Sequence, residues 1–207
     1  MRIVVRSSEL QKGEWLGKPA KTGVDLHFID ADEHLSETGA DAYFDLLFDE
    51  NNGQLPNTNK PIFVNAVTAL LNELPGNCIR INAWNGFLSR DIVEIVAAAT
   101  NKPAAAEIMH TLGWQYIFVP DIRGMIVARN ISMIINEAYY ALGDKVSSKV
   151  EMDIAMKLGT NYPFGPFEWS EKIGLKNIYH LLKMLSVEDD HYIAASYLEQ
   201  DLTKNSI

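Results

Sequence analysis

The sequence predicts an α/β domain built on a mostly parallel sheet, followed by an all-α domain. Two patterns carry that expectation. Up to residue 120, short runs rich in Val, Ile, Phe and Tyr alternate with polar segments and short helices, as in strands joined by crossovers. From Asp121 onward the apolar residues recur at helical spacing, and Gly and Pro punctuate the helices. The change places a boundary near Asp121, giving domains 1–121 and 122–207.

Strands are expected at 2–6, 24–30, 42–48 (strand or short helix), 61–67, 78–84, 92–97 and 116–120. A short helix is expected to end at Leu74. Another is expected over 103–112, with Pro103 in the first turn, where its missing N–H costs nothing. In the second domain Ile126, Ile131, Ile134, Ile135, Ala138 and Leu142 form one apolar face on a helix of about five turns, which Gly143-Asp144 ends. Ser148 and Glu151 have capping-box spacing and open a second helix. It is expected to carry Val150, Ile154, Ala155 and Leu158 inward and to stop at Gly159. The Pro/Gly run from Tyr162 to Phe167 is not helical throughout, and a third helix is expected from about Leu175 to Leu185.

Of 207 residues, 47% are hydrophobic, enough for a core of normal size. A net charge of −9 argues against nucleic acid or an anionic membrane as partner, since phosphate contacts need clustered Lys and Arg. Cys78 is alone, which allows no internal disulfide and fits a reducing cytoplasm. The apolar run after Met1 is too short for a signal peptide, and none approaches the roughly 18 residues that span a bilayer. A cytoplasmic location is therefore expected.

The helical half resembles the C-terminal domain of the 3-hydroxyacyl-CoA dehydrogenases, a domain type shared with 6-phosphogluconate dehydrogenase. The family's G-F-I-V-N-R turn corresponds to Gly124 to Arg129, its N-E-A to Asn136-Glu137-Ala138, and its D-I-D-x-A-M-x-x-G to Met152 to Gly159. Its P-x-G-P-F corresponds to Pro163 to Phe167, and its final I-G-L to Ile173-Gly174-Leu175. The resemblance implies a Rossmann-like NAD domain in the first half. Asp30 then falls where an acid would accept hydrogen bonds from ribose, although an Asp at a strand end is common without that role. The Gly-rich turn is missing: Ser7 to Gly23 contains Gly13 and Gly17 but no G-x-G-x-x-G, and Glu9 and Glu14 there would repel a diphosphate. The polar run from Asp49 to Lys60 replaces a family helix, so the domain is expected to be trimmed.

Oxidising a 3-hydroxyacyl thioester calls for a base near neutral pH, usually His, oriented by a carboxylate. The resemblance places the family's His at Asn82, its following Asn at Asn85, and its Glu at Glu94, twelve residues after position 82. An amide has no nitrogen that accepts a proton in the working range. Glu94 is either a residual orienter of something bound or an ordinary strand-end carboxylate. The family's substrate-holding Asn corresponds to Ala128, and its Ser to Val67 or Thr68. The five His residues (27, 34, 110, 180 and 191) are expected to be ordinary core or surface histidines. Eight acids between residues 30 and 50, including Asp-Ala-Asp-Glu-His at 30–34, match no metal-ligand spacing and are expected to form a solvated rim.

These features imply a dehydrogenase-like protein without hydride chemistry or an NAD cofactor, acting by binding acyl-CoA or a partner protein, or as a scaffold. The alternative is an active NAD-dependent 3-hydroxyacyl-CoA dehydrogenase with an atypical site. A third possibility is an assembly module, since the family's helical domain forms a homodimer. The long helix around Met133, Ile134 and Tyr140 offers apolar surface for that.

Overall fold

The computed structural model describes residues 1–19, 22–33, 35, 39–51 and 54–204; of these, the side chains of 50 and 51 are not described. The chain forms two compact units, Met1–Met125 and Ile126–Ile207.

The described part of unit 1 is organised around one sheet of seven strands: β1 (Arg2–Arg6), β2 (Asp25–Ile29), β3 (Ala42–Asp45), β4 (Ile62–Val64), β5 (Cys78–Ile81), β6 (Ile92–Val96) and β7 (Gln115–Phe118). Their order is β2-β1-β3-β4-β5-β6-β7. Only the β5–β6 pairing is antiparallel among them. The central strands β3, β4 and β5 are buried throughout, as expected of a sheet with both faces covered.

Helix α1 (Glu9–Leu16) packs one face. Its Trp15 meets Phe28, Phe44 and Trp114 edge-on at 4.4–6.0 Å, and Phe44 stacks on Phe63 at 4.3 Å. Helix α3 (Lys102–Leu112) adds Ala105, Ile108, Met109 and Leu112 to the same core. It starts with Pro103 in its first turn and ends at Gly113, whose φ of 77° is the left-handed cap that glycine adopts without strain. The opposite face, including Val4, Tyr43, Ile62 and Val64, is covered by Leu35, Phe48, Leu55 and Leu74. Helix α2 (Phe48–Asn51) is only four residues long, and no helix follows it in the described residues before β4.

Unit 2 contains α4 (Val127–Gly143), α5 (Lys149–Thr160), α6 (Pro166–Ile173), α7 (Leu175–Leu185) and α8 (Ser196–Lys204). Ile131, Ile135, Tyr139, Phe167, Ile173, Ile178, Leu181, Leu182 and Leu198 are buried. The sequence reading omitted α1, α6 and α8.

Helix α5 corrects an expectation. Val150, Ile154, Ala155 and Leu158 face outward rather than inward. The buried side of α5 carries Asp153, whose Oδ1 accepts from Phe167 N at 2.8 Å. A buried carboxylate that caps the next helix fixes which side turns in, and the apolar stripe goes to solvent. The predicted capping box is present: Ser148 Oγ accepts from Glu151 N, and Glu151 Oε2 accepts from Ser148 N. The helix runs one residue past Gly159, to Thr160, with Asn161 in the left-handed region.

No described helix is long and apolar enough to cross a membrane.

Candidate functional site

In open α/β sheets ligands bind outside the carboxyl ends of the strands, where the strand order reverses. The reversal in unit 1 falls between β1 and β3. Protein side chains fill it. Arg6, the last residue of β1, is buried and donates from Nε and Nη2 to the two carboxylate oxygens of Asp45, the last residue of β3, at 3.0 and 2.7 Å. Burial pushes the Asp45 carboxyl up, and the Arg6 guanidinium and Leu47 N oppose it. Beside this pair, the buried Gln11 amide donates to Leu46 O at 2.8 Å and Ala83 O at 2.9 Å. Asn65 ties the same segments, donating to Leu46 O and accepting from Ala83 N.

The three glycines of a dinucleotide-binding turn stand at relative positions 1, 3 and 6 after the first strand. They allow the turn, the approach of the pyrophosphate and close helix–strand packing. Arg6, Ser8 and Gln11 occupy that spacing here. The N–H groups opening the helix would ordinarily hold the diphosphate. Ser8 Oγ instead accepts from Gln11 N at 3.2 Å, and Gln11 Oε1 accepts from Ser8 N at 3.0 Å. Glu9 adds a carboxylate to the first turn. The residues present do not fit a dinucleotide diphosphate. The sequence held the signal for this helix start, since Ser8-x-x-Gln11 is itself a capping box.

Asp30 follows β2, the strand beside β1, and is exposed; its N–H donates to Glu33 Oε1 at 3.3 Å. Glu14 does not face outward as a free charge: its Oε1 accepts from Gly86 N at 2.6 Å.

Asn82 and Glu94 come together as their spacing implies. Asn82 leaves β5 and faces Glu94 on β6; the Asn82 backbone N–H donates to Glu94 O at 3.2 Å, and Nδ2 approaches Glu94 Oε2 at 3.4 Å. Both side chains are buried, at 2% and 7% exposure. Asn82 Oδ1 and the neighbouring Trp84 Nε1 are buried with no hydrogen-bond partner. Asn85 begins the turn that follows and is half-buried. The pair sets an amide beside a buried carboxylate: it can orient a polar group, and the Asn82 amide itself cannot take up a proton.

Thr68 does not present a free hydroxyl: Oγ1 donates to Asp49 Oδ1 at 3.2 Å, and Val67 N donates to Asp49 Oδ2 at 2.8 Å. Burial nevertheless pushes the Asp49 carboxyl up to about 6. Ala128 is fully buried in the first turn of α4 and carries no polar group. A cluster the sequence did not reveal centres on Arg80, fully buried on β5. It donates to Ala66 O, Val67 O and Ile122 O and pairs with Asp121 at 2.5 Å, fixing the loops after β4 and β7. His27 lies on β2, His110 on α3, His180 on α7 and His191 in a 3-10 turn. No three His, Cys, Asp or Glu among the described residues are placed to hold a metal ion. His34 and Glu37 of the acidic run lie outside the described residues.

A Rossmann-type sheet followed by a helical unit defines the class: two-domain dehydrogenase folds. Residues 124–206 match the family described as 3-hydroxyacyl-CoA dehydrogenase, C-terminal domain. The chain is 36% identical over 115 residues to 3-hydroxyadipyl-CoA dehydrogenase of Escherichia coli, an alignment covering 53% of this chain and 24% of that protein. It is 29% identical over 139 residues to 3-hydroxybutyryl-CoA dehydrogenase of Clostridioides difficile, covering 64% of this chain and 50% of that one. The crystal structure of (S)-3-hydroxybutyryl-CoA dehydrogenase from Ralstonia eutropha superposes over 99% of this chain and 94% of its own with a TM-score of 0.72, at 17% identity, a likeness of fold. The chain thus spans a quarter to a half of the length of these two curated relatives. The match to the family lies in the helical unit, residues 124–206, which is similar to the C-terminal domain of the 3-hydroxyacyl-CoA dehydrogenases.

Proposed function

We propose that this chain is a 3-hydroxyacyl-CoA dehydrogenase relative that does not transfer hydride to NAD, and that it acts by binding an acyl-CoA or a partner protein. The observation that carries this reading is the filled crevice between β1 and β3, where the Arg6–Asp45 pair and the Gln11 side chain stand where a diphosphate would lie. Asn82 in place of a base supports it independently, since loss of an acid–base group alone costs about 10²–10⁴-fold in rate. The test is NADH formation from 3-hydroxybutyryl-CoA and NAD at enzyme concentrations at which a competent family member completes many turnovers. No formation is expected; robust turnover overturns the reading.

The alternative, an active enzyme with an atypical site, draws on the retained Glu94 and its contact with position 82. It predicts micromolar NAD binding, and calorimetry without heat from NAD, NADP or CoA counts against it.

Self-association of the helical unit is part of the same proposal. Val146, Val150, Ile154 and Leu158 recur every four residues and are 71%, 68%, 48% and 83% exposed. Val150, Ile154 and Leu158 make an apolar stripe that winds by about 40° per step along α5, with Val146 in the turn before it. Antiparallel pairing about a two-fold axis sets Val150 against the copy of Ile154, a self-complementary arrangement. Light scattering is expected to give a dimer; a monomer at high concentration contradicts it.

A further inference from the structure

The helical unit holds a cleft that none of the preceding residues uses. It has a volume of about 440 Å³ and is lined by parts of α4 to α8, within the size range of small-molecule sites. Tyr139 and Phe167, both buried, form its apolar floor, with ring centroids 5.0 Å apart in an edge-on arrangement. Lys149 Nζ lies 5.3 Å over each ring, a cation held against two π faces. Asp201 pairs with Lys149 and accepts from Tyr139 Oη at 3.3 Å. An ammonium has three donors, so Lys149 keeps capacity toward the cleft. Leu175 and Leu202 add apolar wall. Ser170 is buried there, and Glu171 stands at the mouth.

The side formed by Gly174, Leu175 and Lys176 is the opening turn of α7. No side chain caps this end and no acid stands in its first turn, so the N–H groups and the positive end of the helix add to Lys149 and Lys176. Lys149 and Lys176 offset the Asp201 and Glu171 carboxylates on the same lining, so the open helix end tips the cleft toward a negative head and the aromatic floor toward an apolar body.

We propose that the cleft binds a small organic anion, a carboxylate or phosphate on a compact apolar or aromatic body. The head meets Lys149, Lys176 and the first turn of α7; the body lies on Tyr139, Phe167 and Leu175. The experiment is an amide-resolved NMR titration of the full chain with hexanoate, phenyl phosphate and inorganic phosphate. Saturating shifts at Leu175 and Lys176 are expected for at least one organic anion, with affinity about tenfold or more above that of inorganic phosphate. Which of the two binds tighter separates a carboxylate ligand from a phosphate one. Lys149→Gln is expected to weaken binding about tenfold and exposed Lys176→Gln about threefold, the second without any effect on folding. Shifts that do not saturate, equal affinity for inorganic phosphate, or indifference to both substitutions overturns the proposal. The readout lies wholly in unit 2, so it is independent of whether unit 1 holds NAD.

Discussion

The carboxyl end of the sheet in unit 1 and the outer face of α5 in unit 2 depart from ordinary burial in opposite directions. At the sheet, Arg6, Gln11, Asp45, Asn65, Asn82 and Glu94 are polar and buried. Most bond to one another or to backbone, leaving few polar atoms for a ligand. On α5, Val150, Ile154 and Leu158 are apolar and exposed among the described residues. One region has turned its polar chemistry inward, and the other leaves apolar surface unused. The difference is why the proposed contacts of this chain are placed on unit 2.

Removing one partner of the buried pair is the strongest way to break the comparison. Arg6→Ala strands the Asp45 carboxylate in the interior and is expected to cost about 3–5 kcal/mol in denaturant unfolding. Replacing both, as Arg6→Met with Asp45→Leu, is expected to recover much of that. A loss below about 1 kcal/mol for the single change would mean the pair is solvated and the crevice open.

Asp49 gives a smaller effect with a definite sign. Its folded carboxyl titrates near 6, above the unfolded value, because burial disfavours the charge. Between the two values the folded state holds the extra proton, so stability falls as pH rises from about 4 to about 6, and this group adds no further slope above that. The full change is on the order of 3 kcal/mol. Asp49→Asn is expected to flatten the slope, as measured by thermal melts across that window.

Ser148→Ala removes the cap of α5 and is expected to cost about 1 kcal/mol. The smallest effect sharpens the contrast most: Leu158→Ser is expected to change monomer stability by less than about 0.5 kcal/mol while lowering self-association by light scattering. A large loss of monomer stability would mean that the α5 stripe is core after all.

Much of the fold was legible because it rests on periodicity and punctuation. The alternation at β1 to β7 and the three-to-four spacing on α4 are properties of the chain alone. So is the Ser148–Glu151 box. The pairing of Asn82 with Glu94 was also readable, through the twelve-residue spacing that the resemblance implies. The orientation of α5 was not. Apolar spacing says that a helix has a stripe but not which way it turns, and the buried Asp153 bond to Phe167 N decided that. The Arg6–Asp45 pair was hidden for a related reason: its members lie 39 residues apart and meet only through the reversal of strand order. Arg80 reads as an ordinary basic residue in a strand until the loops that bond to it are in place.

The central claim is that the Arg6–Asp45 pair and Gln11 take up the crevice between β1 and β3 and keep a dinucleotide out of it. Calorimetric titration of NADH into the full chain tests it most directly. No heat of binding is expected at millimolar ligand; a saturable isotherm in the micromolar range, weakened by a charge change at Asp30, would contradict the account.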